Sequence, residues 1–306
     1  MEENELCGVL LVNKPLGCTS HDVVGRVRKL YHLRRVGHTG TLDPMAEGLL
    51  VVLVGRAAKA AEYLTAGEKE YEATIRFGLT SDTEDATGEV QETGKPIPSQ
   101  EEIEAILPRF RGSILQTPPM YSALKVNGKK LVDLARKGEV VERAPRPVEI
   151  SKLEIEPTSD PSLYRLFARV SAGTYIRTLC ADLGEALGCG AIMDSLKRTK
   201  VDSFTLDSAK TLDDLEQMSD EERASSLLPL ECLFSDLPSL CLGTFHEKLI
   251  RSGCKVLTKK LESSAANLAP DTRVRILDGQ GNFFALGEVE ESEEGPVLKA
   301  IKTFLL

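Results

Sequence analysis

The sequence predicts an α+β chain that ends in a small all-β module. Three observations carry this. Residues 69–77 alternate, with Tyr71, Ala73, Ile75 and Phe77 on one face and Glu72, Thr74 and Arg76 on the other, as in a half-buried strand. Val23, Val24, Val27, Leu30 and Tyr31 fall instead at the spacing of one buried helix face. After about residue 235 the composition changes, and 273–277, 283–289 and 297–304 read as short strands. Asp278-Gly279-Gln280-Gly281 and Glu293-Glu294-Gly295-Pro296 are their turns.

Between these landmarks the elements follow in order. Residues 8–13 are a continuous apolar run, a buried strand that Lys14-Pro15-Leu16-Gly17 ends with turn chemistry. Ser20 is placed to cap the helix that follows. A polar, glycine-rich loop spans 36–43, and Pro44 with the run Leu49 to Val54 returns the chain to the core. Residues 79–98 form a long connection rich in Thr, Asp, Gly and Pro, and 100–107 look helical. A strand near 164–171 leads through Ala172-Gly173-Thr174 into a helix ending at Gly188, and 211–230 suggest two short helices. The 306 residues suffice for one large domain or two. The division expected is 1–235 and 236–306.

Composition narrows the class. A hydrophobic content of 42% and a charged content of 28% are ordinary for a soluble globular protein. No apolar run approaches the roughly 20 residues of a membrane helix. The start, Met1-Glu2-Glu3-Asn4-Glu5, lacks a signal peptide's basic and apolar regions. A cytoplasmic protein without membrane attachment is therefore expected. The seven cysteines include no C-x-x-C pair and the four histidines no metal-ligand spacing. That argues against a disulfide framework or a metal site and for buried free thiols. The net charge of −9 counts against simple electrostatic capture of nucleic acid. Residues 108–152, however, hold ten Lys or Arg against four Asp or Glu, a local +6. Arg26, Arg28, Lys29, Arg34 and Arg35 form a second basic set. Charge alone leaves open a nucleic-acid-binding face and plain solvated helix faces.

The densest chemistry lies in Gly37-His38-Thr39-Gly40-Thr41-Leu42-Asp43-Pro44-Met45-Ala46-Glu47-Gly48. Glycines so close together imply unusual backbone angles or close approach. Asp43-Pro44 is also an ordinary helix start, with Asp at the N-cap and Pro in the first turn. The residues alone leave both readings open.

This segment resembles the signature loop of the TruB family of pseudouridine synthases, G-H-x-G-x-L-D-P-x-A-x-G-x-L, at Gly37, His38, Gly40, Leu42, Asp43, Pro44, Ala46, Gly48 and Leu50. Three further segments resemble the family's motifs in order and spacing: Lys14 to His21, Gln116 to Gly128 continued by Ala135-Arg136-Lys137-Gly138, and Ser171 to Leu179. The likeness runs over about 14–200, some two-thirds of the chain. One departure is Asp202, where the family's L-x-R-T-x-x-G pattern has glycine.

The resemblance implies a central mixed, mostly antiparallel sheet flanked by helices, followed by a small PUA-like RNA-binding domain. It implies conversion of uridine to pseudouridine at position 55, in the T-loop of tRNA, with tRNA as partner and neither metal nor organic cofactor. A monomer is expected. Asp43 would be the catalytic carboxylate, and a guanidinium at Arg177 would favour its ionised form. Tyr71 would stack on the flipped uracil, Leu196 would line its pocket, and Tyr175 would sit beside Arg177. His38 would belong to the loop that enters the RNA. Lys14, Lys125, Lys129, Lys130, Arg136 and Lys197 would grip the backbone. The plain alternatives are core packing for Tyr71, Tyr175 and Leu196 and an exposed helix arginine for Arg177. Rival functions are a non-catalytic tRNA-folding protein, a guide-RNA-dependent relative, and a hydrolase with Asp43 as nucleophile. The chain lacks the long basic extensions usual in the second and the phosphate cradle or clustered metal ligands needed by the third.

Overall fold

A computed structural model describes residues 6–64, 67–126, 128–261 and 268–304. Strand Gly8–Lys14 pairs antiparallel with Ala46–Val54. Both are buried on two faces, which accounts for their unbroken apolar runs. Leu10, Val12, Leu50, Val52 and Val54 pack under helix Ser20–Leu30, while Val9, Leu11, Leu49, Val51 and Leu53 face the opposite side.

Among the described residues one sheet of nine strands forms the core of the larger unit. Its path runs Gly8–Lys14, Ala46–Val54, Ala191–Val201, Lys69–Phe77, Leu163–Val170, Arg146–Pro157, Gly112–Gln116. Only the contact between Ala46–Val54 and Ala191–Val201 is parallel, so the sheet is mixed and mostly antiparallel, as expected. Helix Ile176–Ala186 packs over its centre, where Leu179, Cys180 and Leu183 meet Tyr71, Ile75 and Leu166.

A separate five-stranded sheet, with the order Ser239–Cys241, Arg273–Leu277, Phe283–Glu290, Val297–Thr303, Val256–Leu257, forms the C-terminal unit. It carries one helix, Thr244–Arg251, that the strand pattern did not announce. Phe234, Phe283 and Phe304 stack at 5.6–6.0 Å between ring centroids, in the cluster that also holds Leu49, Val51 and Leu53.

Several expectations need correction. Thr19, not Ser20, caps the first helix, in a capping box with Asp22. Residues 36–39 of the supposed loop are a strand paired with Ala46–Val54. No helix follows Asp43-Pro44, which lead directly into a strand, so the helix-start reading falls. Of the cysteines only Cys180 and Cys189 are buried, and Cys241 and Cys254 are exposed.

Gly48 shows how tightly the sheet constrains the signature loop. It has φ +101°, and a Cβ there would lie 2.4 Å from the Arg198 carbonyl oxygen. Gly17, at φ +84°, has nothing within 4 Å of its own notional Cβ. Gly48→Ala is expected to lower stability by well over the roughly 1 kcal/mol of conformational strain alone. Gly17→Ala shows only that strain. Thermal or urea unfolding of both variants checks the difference, and equal losses would contradict it.

Candidate active site

Three adjacent strands bring the distant motifs together. Leu196 sits opposite both Ala46 and Ala73, and Arg198 opposite both Gly48 and Tyr71. Tyr71 and Leu196, both buried, thus share one apolar cluster with Leu42, which immediately precedes Asp43.

The loop around Asp43 is fixed by buried polar groups. The Ser20 hydroxyl accepts from the Leu42 N–H at 2.8 Å and donates to the Leu42 carbonyl at 3.0 Å. The Gly17 N–H donates to the Pro44 carbonyl at 2.8 Å. From the sheet, Arg198 is 1% exposed and donates to the Leu49 carbonyl at 2.8 Å and the Gly40 carbonyl at 3.0 Å. The donors of one guanidinium thereby tie strand Ala46–Val54 to the turn at Gly40.

Arg177 enters from the first turn of its helix. The helix start is held by Gln116, whose side-chain amide accepts from the Tyr175 N–H at 2.8 Å and donates to the Tyr175 carbonyl at 3.1 Å. The Arg177 side chain is 6% exposed and lies 3.0 Å from Asp43 Oδ2 and 3.7 Å from Asp85 Oδ2. It also donates to the Tyr121 carbonyl at 3.0 Å. Asp85 is fixed in turn by Thr83 and Thr87, both donating to its Oδ1. Arg177 is therefore no exposed helix arginine but a buried cation between two carboxylates.

Of the two, Asp43 faces the opening, with 36% of its side chain accessible. Burial pushes its pKa above the ordinary carboxylate value, Asp85 adds to that, and the Arg177 and Lys14 charges oppose it. Burial wins, so the guanidinium limits the rise without reversing it.

The other expected residues divide. Tyr175 is half-buried at the helix start beside Arg177. Lys14 is fully buried, and its ammonium donates to the Pro15 and Cys18 carbonyls at 3.0 and 2.7 Å. A phosphate-gripping role does not fit so enclosed a group, which instead ties the turn that holds Pro44. His38 lies on its strand, half-buried, with its pKa lowered by burial and by Arg198, so its ring is neutral near pH 7. Lys125, Lys129 and Lys130 are exposed on a two-stranded hairpin whose Asn127 lies outside the described residues. Arg136 is exposed nearby, and Lys197 lies 3.8 Å from Glu47. Asp202 adopts the left-handed region at φ +51°, which Asp tolerates in place of glycine. The sequence reading missed Asp85, Arg198, Ser20 and Gln116. Arg198, Ser20 and Gln116 lie in segments that resemble the family's motifs, and Asp85 had only a local signal, an aspartate flanked at two residues on either side by threonines.

Comparison with known proteins gives a consistent picture. Residues 28–176 match the N-terminal domain of the TruB family pseudouridylate synthases, and 177–235 match the tRNA pseudouridylate synthase B C-terminal domain. The chain is 48% identical over 229 residues to tRNA pseudouridine synthase B of Opitutus terrae, covering 74% of this chain and 94% of that protein. The Burkholderia pseudomallei protein of the same name is 39% identical over 297 residues, 97% of each chain. Among solved structures, a chain of a Cbf5-Nop10-Gar1 complex aligns with a TM-score of 0.74 and 25% identity, covering 97% of this chain and 85% of that one.

The electrostatic arrangement fixes two shifts of opposite sign. Arg177→Gln is expected to raise the Asp43 pKa further, since the opposing cation is lost. Asp85→Asn is expected to lower it, since a like charge is removed. Carbon-detected NMR titration of the Asp43 carboxyl in both variants measures this, and shifts of the same sign would refute it.

Proposed function

The chain belongs to the TruB family of pseudouridylate synthases, and on that premise we propose that it modifies the uridine at position 55, in the tRNA T-loop, with Asp43 as its catalytic carboxylate. The coarser statement needs no proposal: the chain is an isomerase that converts uridine in tRNA to pseudouridine. The observation that carries the Asp43 assignment is its 3.0 Å pair with Arg177 beside the apolar cluster around Tyr71 and Leu196, whereas the T-loop site rests on the likeness to the family.

The reaction breaks the N1–C1′ glycosidic bond, turns the uracil and joins C5 to C1′. C5 loses its proton and N1 gains one, so no redox partner is needed. A carboxylate can serve as nucleophile or as base, and either role requires its ionised form. With its pKa raised by burial, Asp43 is a stronger base than an exposed aspartate, while the Arg177 charge opposes the rise and favours the ionised form.

The target base must leave its stack, at a cost of a few kcal/mol. The ring of Tyr71 offers a stacking face worth roughly 1–3 kcal/mol, and Leu196 supplies an apolar wall. Exposed Gly40 and Thr41, beside His38, are positioned to enter the gap left in the RNA. Lys125, Lys129, Lys130 and Arg136 suit the phosphate backbone. The C-terminal unit, 236–306, is assigned a second contact with the tRNA as a PUA-like domain. Lys14 acts from below, by holding the loop and favouring Asp43 ionisation.

The test is tritium release from C5-labelled uridine in a T-arm hairpin. Wild type is expected to release label, and Asp43→Asn to lose about 100-fold or more in rate while binding the hairpin with similar affinity. Binding by wild type without release would overturn the T-loop reading.

A further inference from the structure

On the His38–Gly40 side of the signature loop lies a cleft of about 520 Å³ whose walls include His38, Gly40, Lys69, Gly173, Asp202 and Arg273. Lys69 is half-buried, begins the strand that carries Tyr71, and points to the same side because strand side chains repeat every two residues. A Cβ on Gly40 would lie 3.5 Å from Lys69 Cε and 4.0 Å from its Nζ, so the ammonium rests against the signature loop.

Among the described residues this ammonium has neither a hydrogen bond nor a carboxylate within ion-pair distance. Burial and the charge of Arg198 penalise its protonated form, and only Asp202 favours it. A cation taken partly out of water without a partner is costly. The same wall holds a second unmet polar atom, His38 Nδ1, which is buried without a partner. Lys14 and Arg198, by contrast, spend their donors on carbonyls. Farther along the cleft Asp202, Asp236, Glu68 and Glu70 outnumber Lys200, and Glu70 is already paired with Lys200 and Arg169, so that end is net acidic and disfavours anions. An anion is thereby confined to the Gly40 side, next to the Tyr71 face.

We infer that Lys69 and the Gly40 turn form a seat for one phosphodiester of the RNA, a linkage adjoining the flipped uridine. The inference rests on the RNA substrate proposed above and adds the group that fixes the nucleotide along the cleft. A phosphate there partners the stranded ammonium, and the ammonium sets the distance from backbone to stacking face.

The experiment uses the full chain carrying Asp43→Asn, which holds substrate without turnover. Affinity is measured for T-arm hairpins in which each linkage flanking the target uridine is replaced singly by a neutral methylphosphonate. One such linkage is expected to weaken binding about tenfold. Adding Lys69→Met is expected to weaken the native hairpin similarly, abolish sensitivity to that linkage and reduce the salt slope by about one phosphate. Lys69→Arg is expected to retain the sensitivity. If no flanking linkage matters in the chain with Lys69 intact, or if Lys69→Met leaves the sensitivity unchanged, the seat is overturned. Tritium release by wild type is scored separately. A flat linkage map with release sinks only the seat, and an intact map without release sinks only the synthase reading.

Discussion

The site depends on one shared cation. Arg177 is buried, and a buried guanidinium is tolerable only if carboxylates and carbonyls surround it. Asp85 and the Tyr121 carbonyl supply the closed side of that environment, and Asp43 supplies the side that opens to solvent. The two carboxylates have different tasks because their surroundings differ. Asp85 is saturated by threonine donors, whereas Asp43 retains an accessible face. Arg177 therefore serves as both a structural anchor and the limit on how far burial raises the Asp43 pKa.

Holding Asp43 against that anchor requires a stiff loop, and the fold stiffens it with buried side chains bonded to main chain. Ser20 and Lys14 come from one motif and Gln116 and Arg198 from two others, and each bonds backbone groups of a turn, loop or strand that positions the site. Breaking such a contact leaves a buried donor or acceptor unpaired, at about 1–3 kcal/mol for each group. The motifs are thus largely instructions for backbone position. On the proposed reading the chemistry falls to fewer residues: Asp43, Arg177, Tyr71 and Leu196.

Much of this architecture could be read from sequence where a single period governs a segment. The alternation at 69–77 corresponds to a strand, and the apolar runs at 8–13 and 49–54 fall within the strands Gly8–Lys14 and Ala46–Val54. Arg146–Pro157 escaped because its apolar phase changes partway, from Val148 and Ile150 to Leu153 and Ile155. The structure has a register irregularity between Ile150 and Lys152, where one extra residue shifts the alternation. Ser20 was misread as a cap because its hydroxyl serves a partner 22 residues away. Lys14 was misread as a phosphate ligand because residue type does not reveal burial. Asp85 lies in a segment that reads as a connection, and its importance comes only from the helix that folds back over it.

The most direct test of the account is a double-mutant cycle on the single-turnover rate with Asp85→Asn and Arg177→Gln, alone and combined. If Asp85 acts by holding Arg177 against Asp43, Asp85→Asn slows the wild-type background and has little further effect once Arg177 is replaced. Fully additive losses would show that Asp85 acts independently, and would contradict the shared cation on which the site is built.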